Sequence, residues 1–191
     1  MRRLPVWVLG VSGCLPAHQQ SQEDAQRAPD HEMFSEWLTE TQLESTYTDF
    51  VAHLHSADVE DVVEPWTLLR QGTDWKAVNH PPFAMPPPEV WDSMVPTLVL
   101  IRDHIEPEFG QVEVVSGFRT SEFNAAAGGS SGSRHKFFEA VDLVPSRPTR
   151  RKKLHQKLEQ FYADNGQESQ VGLGLYRNTR FHIDTWKARR W

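Results

Sequence analysis

The chain has 191 residues, with 26 acidic and 20 basic side chains and a formal net charge of −6. This length suits one domain with a proper core, or one domain that carries an extension. The acidic balance argues against a nucleic-acid partner, which would require a basic stripe, and the single cysteine, Cys14, excludes an internal disulfide.

Residues 1–14 predict an export signal. Two arginines precede a short apolar run, which is too short to span a bilayer permanently. The ending V-S-G-C at residues 11–14 resembles the bacterial lipobox, and this resemblance implies that Cys14 is acylated and becomes the first residue of the mature protein. The alternative is an ordinary first strand with a buried cysteine.

Residues 15–32 are polar and predict a flexible tether between this signal and the folded part. Leu15 after the cysteine fits sorting to the outer membrane of a Gram-negative host. We therefore expect a periplasmic lipoprotein of the cell envelope, bound to the outer membrane through its N-terminal lipid anchor.

Residues 33–85 predict a helical extension that ends in a proline-rich connection. Apolar residues recur at helical spacing up to about residue 70, which predicts two or three short helices. The segment NHPPFAMPPPEVW must be extended, because a residue before a proline is biased away from the α-helical region. An apolar stripe over residues 89–105 then predicts a helix in which Pro96 causes a kink or a late start.

The hydrophobic period changes after residue 110. GQVEVVSGF alternates as a strand, RTSEFNAAAGG is a short helical turn stopped by glycines, and EAVDLVP is a strand ended by proline. RPTRRKKLHQKLEQFYADNG is an amphipathic helix, and VGLGLYRNTRFHIDTW gives two strands joined by a turn. This order predicts an α+β domain, a small antiparallel sheet flanked by helices, with an N-terminal helical extension.

His135 and Asp142 lie seven residues apart around apolar and aromatic side chains. On one helix they would stand about 10 Å apart along the axis, and on one straight strand they would point to opposite faces. They converge only if the segment folds back, with the histidine on a turn and the aspartate on the strand that follows.

His182 and Asp184 are two residues apart on the last predicted strand, so they share a face. Together with the first pair they give two imidazoles and one or two carboxylates. Two imidazoles and a carboxylate form a three-ligand set that leaves a position open for water, as catalytic zinc sites do. Spacing alone is weak support for a metal, because a lone His–Asp pair is usually structural.

The run SGFRTSEFNAAAGGSSGSRHKFFEAVDL, followed by GLGLYRNTRFHIDTW, resembles the zinc D-alanyl-D-alanine peptidases of the M15 type, which share the fold of the Hedgehog signalling domain. The family pattern is SGYR, an asparagine, a Gly-Gly pair, S-x-H-x-x-G-x-A-x-D and a strand with F-V-H-x-D. The resemblance covers residues 86–191, and the final Arg-Trp pair is similar to that of the periplasmic murein endopeptidases. The matching positions are Ser116, Gly117, Phe118, Arg119, Asn124, Gly128, Gly129, Ser133, His135, Ala140, Asp142, His182 and Asp184.

The resemblance implies a role for each matched polar residue. His135, Asp142 and His182 would be the zinc ligands. Arg119 would hold a substrate carboxylate with its planar fork of donors, and its alternative role is a structural salt bridge. Ser133 would position the turn or form a hydrogen bond near the site.

Two positions depart from the family pattern. Phe138 stands where the family has a glycine, and a positive φ there would strain a phenylalanine. Thr179 stands where many members have a carboxylate, three residues before the last histidine, so the general base of a zinc peptidase must lie elsewhere. We predict that Asp184 is this base, with Glu139 as a less suitable substitute. Asp184 alternatively orients His182 or supports the strand.

Three functions fit this sequence. The first is a zinc peptidase that cuts peptidoglycan stem peptides or cross-links, as a D,D-carboxypeptidase or murein endopeptidase. The second is a zinc-binding domain without catalysis that recognises peptidoglycan or an envelope partner. The third is a metal-free structural domain. We predict the first, in a monomer whose peptidase core occupies residues 86–191.

Overall fold

The computed structural model describes residues 28–191. The predicted export signal, the lipidation site Cys14 and the predicted tether before residue 28 lie outside the described residues. Among the residues that are described, no helix is long and apolar enough to cross a membrane.

The N-terminal part is helical, as predicted. Helix α1 (His31–Thr41) begins after Asp30, whose side chain accepts a hydrogen bond from the Met33 amide at 2.9 Å and so caps the helix. Helix α2 (Glu44–Ser56) and a 3₁₀ helix (Pro65–Leu69) follow. The first helix starts inside the segment predicted as a tether, because this aspartate supplies the cap.

The apolar stripe before the sheet is divided into four helical pieces. A 3₁₀ helix (Pro88–Met94) leads into α3 (Val95–Leu100), a π-helical turn (Ile101–Ile105) and α4 (Glu106–Phe109). Pro96 lies in the first turn of α3, where its missing N–H costs no hydrogen bond. The predicted late start is therefore confirmed.

Five strands form one sheet in the order β1-β2-β4-β3-β5. The first four pair antiparallel, whereas β5 pairs with β3 in parallel. The predicted α+β class is confirmed. The parallel fifth strand was not predicted, because a strand of two residues shows no period in the sequence. The strands are β1 (Val112–Ser116), β2 (Ala140–Pro145), β3 (Gly172–Leu175), β4 (Phe181–Asp184) and β5 (Arg189–Arg190).

Two helices connect the first strands to the rest of the sheet. Helix α5 (Ser121–Ala126) follows β1, and helix α6 (Arg151–Asn165) joins β2 to β3. The buried residues of α6 are Leu154, Leu158 and Phe161, which are the three predicted to face inward.

One hydrophobic core joins the N-terminal helices to the sheet. Phe50 of α2 belongs to the same cluster of buried residues as Leu143 of β2 and Ile183 of β4. The chain after β1 also contacts the 3₁₀ helix Pro65–Leu69, since the Phe118 amide donates to the Leu68 carbonyl at 2.9 Å. Residues on both sides of the predicted boundary at residue 86 therefore share this core.

Candidate metal centre

Each of the three predicted ligands lies on a different element. His135 is in a 3₁₀ helix (Arg134–Phe137), Asp142 is on β2 and His182 is on β4. Asp142 and His182 are directly opposite each other in the antiparallel pair β2–β4, so the register puts both side chains on one face. The predicted fold-back, with the histidine on a turn and the aspartate on the next strand, is confirmed.

Phe138 is the residue at which the chain folds back between the 3₁₀ helix that contains His135 and strand β2. It has φ 55° and ψ 39°, in the left-handed region that favours glycine. Its ring is fully buried and packs against Phe50 and Phe118, with ring centroids 5.9 and 6.0 Å apart. The backbone strain predicted for this departure from the family glycine is present, and the burial of the ring offsets it.

The ligand atoms of the three residues form a small triangle. His182 Nδ1 lies 3.0 Å from Asp142 Oδ1 and 3.2 Å from His135 Nε2, and the third side is 3.4 Å. Two ligands of a tetrahedral zinc ion, with bonds near 2.0–2.1 Å, lie about 3.3 Å apart. All three side chains are buried. This donor set, in a triangle of this size, fits a zinc ion.

Hydrogen bonds behind the triangle decide which ring nitrogen faces it. His135 Nδ1 lies 2.8 Å from the carbonyl oxygen of Gly117, so Nδ1 carries the hydrogen and Nε2 keeps its lone pair. His182 Nε2 lies 2.9 Å from Asp184 Oδ2 and donates to it, so Nδ1 faces the other ligand atoms. Both imidazoles therefore present the nitrogen that a metal would need.

Asp142 divides its two oxygens between different partners. Oδ2 accepts hydrogen bonds from Arg119 Nη2 at 3.0 Å and from Arg180 Nη2, and Oδ1 accepts one from the Tyr176 hydroxyl at 3.2 Å. Burial by itself would raise the pKa of this carboxyl, but Arg180 and His135 outweigh burial and hold the pKa well below its usual range. Asp142 is therefore an anion at neutral pH, which is the form that binds a metal.

The two histidines differ in their affinity for a proton. Burial and the nearby Arg119 lower the pKa of His135 to about 4, so its ring is neutral at pH 7. Burial also lowers the pKa of His182, but its hydrogen bonds to Asp142 and Asp184 outweigh burial and raise the pKa above its ordinary value. Below the raised pKa of His182, a metal at this site would displace a proton from that ring, whereas at pH 7 it would displace none from His135.

Asp184 lies behind His182 and not among the ligand atoms. Its Oδ2 accepts from His182 Nε2, its two oxygens accept from the Arg189 guanidinium at 2.9 and 2.6 Å, and Oδ1 accepts from the Trp186 amide at 3.1 Å. Its carboxyl would have a raised pKa from burial alone, but His182 and Arg189 lower the pKa. These contacts suit the alternative that Asp184 orients His182, while its role as general base stays a prediction.

Gly172 leaves the space that the Asp184–Arg189 pair needs. It stands opposite Asp184 in the β3–β4 pair, and a Cβ at this position would come within 2.3 Å of Asp184 Oδ2 and 2.5 Å of Arg189 Nη1. Because contacts this short do not occur, a side chain here would push the pair away from His182.

The triangle opens into a cleft of about 340 Å³, and the predicted substrate-binding residues Arg119 and Ser133 both line this cleft. The Arg119 side chain is 14% exposed. Its Nε donates to the Gln71 carbonyl at 2.9 Å, and its Nη2 donates to Asp142. The structural salt bridge is thus present, and within the described part of the chain Nη1 is the nitrogen that remains for a carboxylate in the cleft.

Three residues of the site were not identified from the sequence. Arg180 and Tyr176 donate to Asp142, and Arg189 donates to Asp184. The alternation of β4 could have found Arg180, because it lies two residues before His182 and so points to the same face. No local pattern points to Tyr176 or Arg189. Tyr176 follows β3 and Arg189 belongs to β5, and only the pairing of these strands brings the two side chains to the site.

A family model described as Peptidase M15 matches residues 60–184. The chain belongs to this family. The matched residues include all three candidate ligands, and they begin within the segment predicted as a helical extension. The M15 resemblance is therefore confirmed, while no curated protein and no solved structure gives a significant match to the chain.

Membership of the M15 family indicates a peptidase, and M15 peptidases are generally zinc-dependent. The structure adds that His135, Asp142 and His182 form a group that could hold a metal ion. When bound at such a site, zinc polarises a carbonyl and activates a water molecule.

Proposed function

We propose that this M15 peptidase is zinc-dependent and hydrolyses peptide bonds in peptidoglycan stem peptides or cross-links. The observation that carries the proposal is the triangle of His135 Nε2, Asp142 Oδ1 and His182 Nδ1, with sides of 3.0–3.4 Å, at the base of an open cleft. Hydrogen bonds to the Gly117 carbonyl and to Asp184 already direct His135 Nε2 and His182 Nδ1 into this triangle. A catalytic zinc site has three protein ligands and one open position, which this arrangement matches.

Arg119 is the proposed anchor for a substrate carboxylate. Its guanidinium is fixed from two sides, because Nε donates to Ser116 Oγ at 2.8 Å and Nη2 donates to Asp142 at 3.0 Å. A fixed fork loses little freedom when it binds a further carboxylate. Ser133, at the opposite end of the turn from Phe138, would add a hydrogen bond in the cleft. Stem peptides carry free carboxylates of the kind that such an anchor holds.

Proton transfer needs a carboxylate, since the attacking water loses a proton and the leaving amine gains one. Asp184 remains the proposed base, although in the structure it is held by His182 and Arg189. Glu139 is the alternative. It lies 2.9 Å from Arg134 Nε, and burial raises its pKa, which makes its carboxylate a better proton acceptor.

A binding domain without catalysis is the second candidate function. The observation that favours it is Thr179, which is almost fully buried at the position where many family members have a carboxylate. A zinc site without an efficient base would still recognise the peptide but would not turn it over.

The test is digestion of purified muropeptides and intact cell-wall sacculi by the zinc-loaded protein, with products analysed by mass. We expect peptide-bond cleavage that chelation and His182→Ala abolish. The matched control is His104→Ala, which removes an exposed histidine of the π-helical turn and should keep full activity. Binding of muropeptides with a full zinc content, and no release of product from any class, would establish the second function instead.

The envelope location is also a proposal. We propose a monomeric lipoprotein that is anchored in the outer membrane through acylated Cys14 and is similar to the periplasmic murein endopeptidases. Fractionation of cells that express the full chain tests this location. We expect Cys14→Ser to move the protein from the membrane to the soluble fraction, and retention of that variant in the membrane would refute acylation as the anchor.

A further inference from the structure

Exposed aromatic side chains gather beside the cleft. Within the described residues, the exposed large hydrophobic side chains are Phe137 (43% exposed), Tyr176 (38%), Trp186 (52%) and Trp191 (56%). Tyr176 and Trp191 line the cleft, and the other two lie against Arg134, which also lines it. Exposed apolar surface that collects in one place marks an interaction site.

Guanidinium groups lie between these rings. Arg134 Cζ is 4.1 Å from the centroid of Phe137 and 4.5 Å from that of Trp186, and Arg189 Cζ is 5.3 Å from Trp186 and 4.9 Å from Trp191. We call these five residues the aromatic rim. Cation–π contacts at such distances hold exposed rings in fixed places, so the rim is preorganised for a ligand.

The charges of the rim are already balanced within the protein. Arg134 lies 2.9 Å from Glu139, and Arg189 lies 2.6 Å from Asp184. The guanidiniums therefore offer N–H donors along the rim without a large excess of positive charge. A polyanion would find little net attraction at the rim, whereas a neutral molecule with apolar faces and oxygen acceptors would find both kinds of contact.

A pyranose ring has this chemistry. Its C–H groups form flat apolar faces that pack against the negative face of an aromatic ring, and its hydroxyl and acetamido oxygens accept hydrogen bonds around its edge. The rim is also continuous with the metal triangle, because the Trp191 ring lies 5.1 Å from that of His182. Its occupant must therefore be joined to, or be part of, the substrate.

We infer that the aromatic rim binds an N-acetylhexosamine of the glycan strand, so that the enzyme prefers stem peptides still attached to sugar. This inference rests on the proposed function, since it deepens the substrate class of the same cleft. The preference follows because a substrate that carries the sugar gains the rim contacts in addition to those at Arg119 and the metal ligands.

The first experiment measures sugar binding without any cleavage. The β-1,4-linked tetramer of N-acetylglucosamine is titrated into the full protein, with tryptophan fluorescence and calorimetry as the readouts. We expect saturable binding that Trp186→Ala weakens by about tenfold. Trp186→Phe should retain most of the affinity, because it keeps a ring of similar character.

The matched control is Trp75→Ala. Trp75 is a half-buried tryptophan that also stacks with a cation, Lys76 at 4.9 Å, but it lines a different cavity of the protein. We expect this variant to bind the tetramer as the wild type does. Because Trp186 is 52% exposed, its removal does not threaten the fold, and near-ultraviolet circular dichroism checks that the variant is folded.

The second experiment compares cleavage of one stem peptide with and without its disaccharide. We expect a higher kcat/KM for the sugar-linked form than for the free peptide. Trp186→Ala should reduce the ratio of these two kcat/KM values, because it raises KM for the sugar-linked form. Absence of tetramer binding, or equal ratios for wild type and Trp186→Ala, would overturn the inference and leave the proposed function intact. Sugar binding without cleavage of either substrate would instead support the rim and refute the proposed peptidase substrate.

Discussion

The two faces of strands β2 and β4 contain different kinds of side chain. On one face, Leu143 and Ile183 are fully buried in the hydrophobic core. On the other face, Asp142, His182 and Asp184 are equally buried but polar or charged. Both faces bury their side chains, but the polar face also opens into the cleft through His182, and only its hydrogen bonds and ion pairs impose a fixed direction on each side chain.

The difference shows that the apolar face contributes mainly to stability, whereas the polar face holds the candidate metal ligands. Apolar packing is non-directional and scales with the area buried, so the first face can lose part of a side chain and keep its arrangement. Buried charges are stable only when each has its partners in place. On the second face, removal of one group leaves another group uncompensated.

The largest effect is expected for Asp142→Ala. This change removes a candidate ligand and leaves the Arg119 and Arg180 guanidiniums without their shared carboxylate. We expect loss of stoichiometric zinc and a decrease of about 3–5 kcal/mol in the free energy of unfolding of the metal-free protein. Urea denaturation in excess chelator measures this decrease in stability. The control is Asp103→Ala, which removes an exposed carboxylate and should change the free energy of unfolding little. Near wild-type stability would mean that the polar face does not depend on its charge pairs.

Leu143→Ala tests the other face of the same strand. Truncation of a fully buried leucine should decrease the free energy of unfolding by about 2–5 kcal/mol. The zinc content of the folded protein should not change, because the ligand triangle lies on the opposite face. Metal analysis of the purified variant checks this, and a loss of zinc would show that the two faces are coupled.

Asp184→Ala and Asp184→Asn separate the two roles of Asp184. Alanine removes the acceptor for His182 Nε2, so we expect zinc affinity to fall about 10–100-fold. Asparagine can still accept that hydrogen bond but cannot take up a proton. If Asp184 only orients His182, the Asn variant keeps zinc and much of its turnover. Loss of turnover in an Asn variant that retains zinc would establish Asp184 as the base.

Zinc affinity should depend on pH through His182. Its pKa is raised above the ordinary value of 6.5, whereas the pKa of His135 is lowered to about 4. Protonated His182 competes with the metal below its own raised pKa, so affinity should fall by up to about tenfold for each pH unit below that pKa. Calorimetry in buffers of different ionisation enthalpy should show release of more than half a proton per zinc ion at pH 6.5, because a His182 pKa above 6.5 leaves that ring mostly protonated there. Release of none would place the metal elsewhere.

The smallest effect concerns Phe138. Ala and Gly substitutions both remove the buried ring, at a cost of about 3–5 kcal/mol for Phe→Ala. Glycine adopts φ 55° without strain, so Phe138→Gly should be more stable than Phe138→Ala by about 1 kcal/mol. Thermal unfolding of the two variants measures the difference, and equal stability would show that the fold-back is unstrained.

Local patterns in the sequence predicted much of the fold because they act over a few residues. The spacing of Leu154, Leu158 and Phe161 predicted the buried side of α6, and the alternation around Val112 and Val114 predicted β1. The two-residue strand β5 has no period of its own, and it forms because β3 offers an edge with which it can pair.

The sequence by itself determined the family, the three candidate ligands and the need for a fold-back between His135 and Asp142, since these depend on ordered motifs and on helix and strand geometry. Only the tertiary structure decided which imidazole nitrogens meet, that Asp184 stands behind His182, and that Arg180, Tyr176 and Arg189 complete the charge pairs. The physical reason is that these contacts join residues from strands far apart in the chain, and their distances exist only once the strands have paired in register.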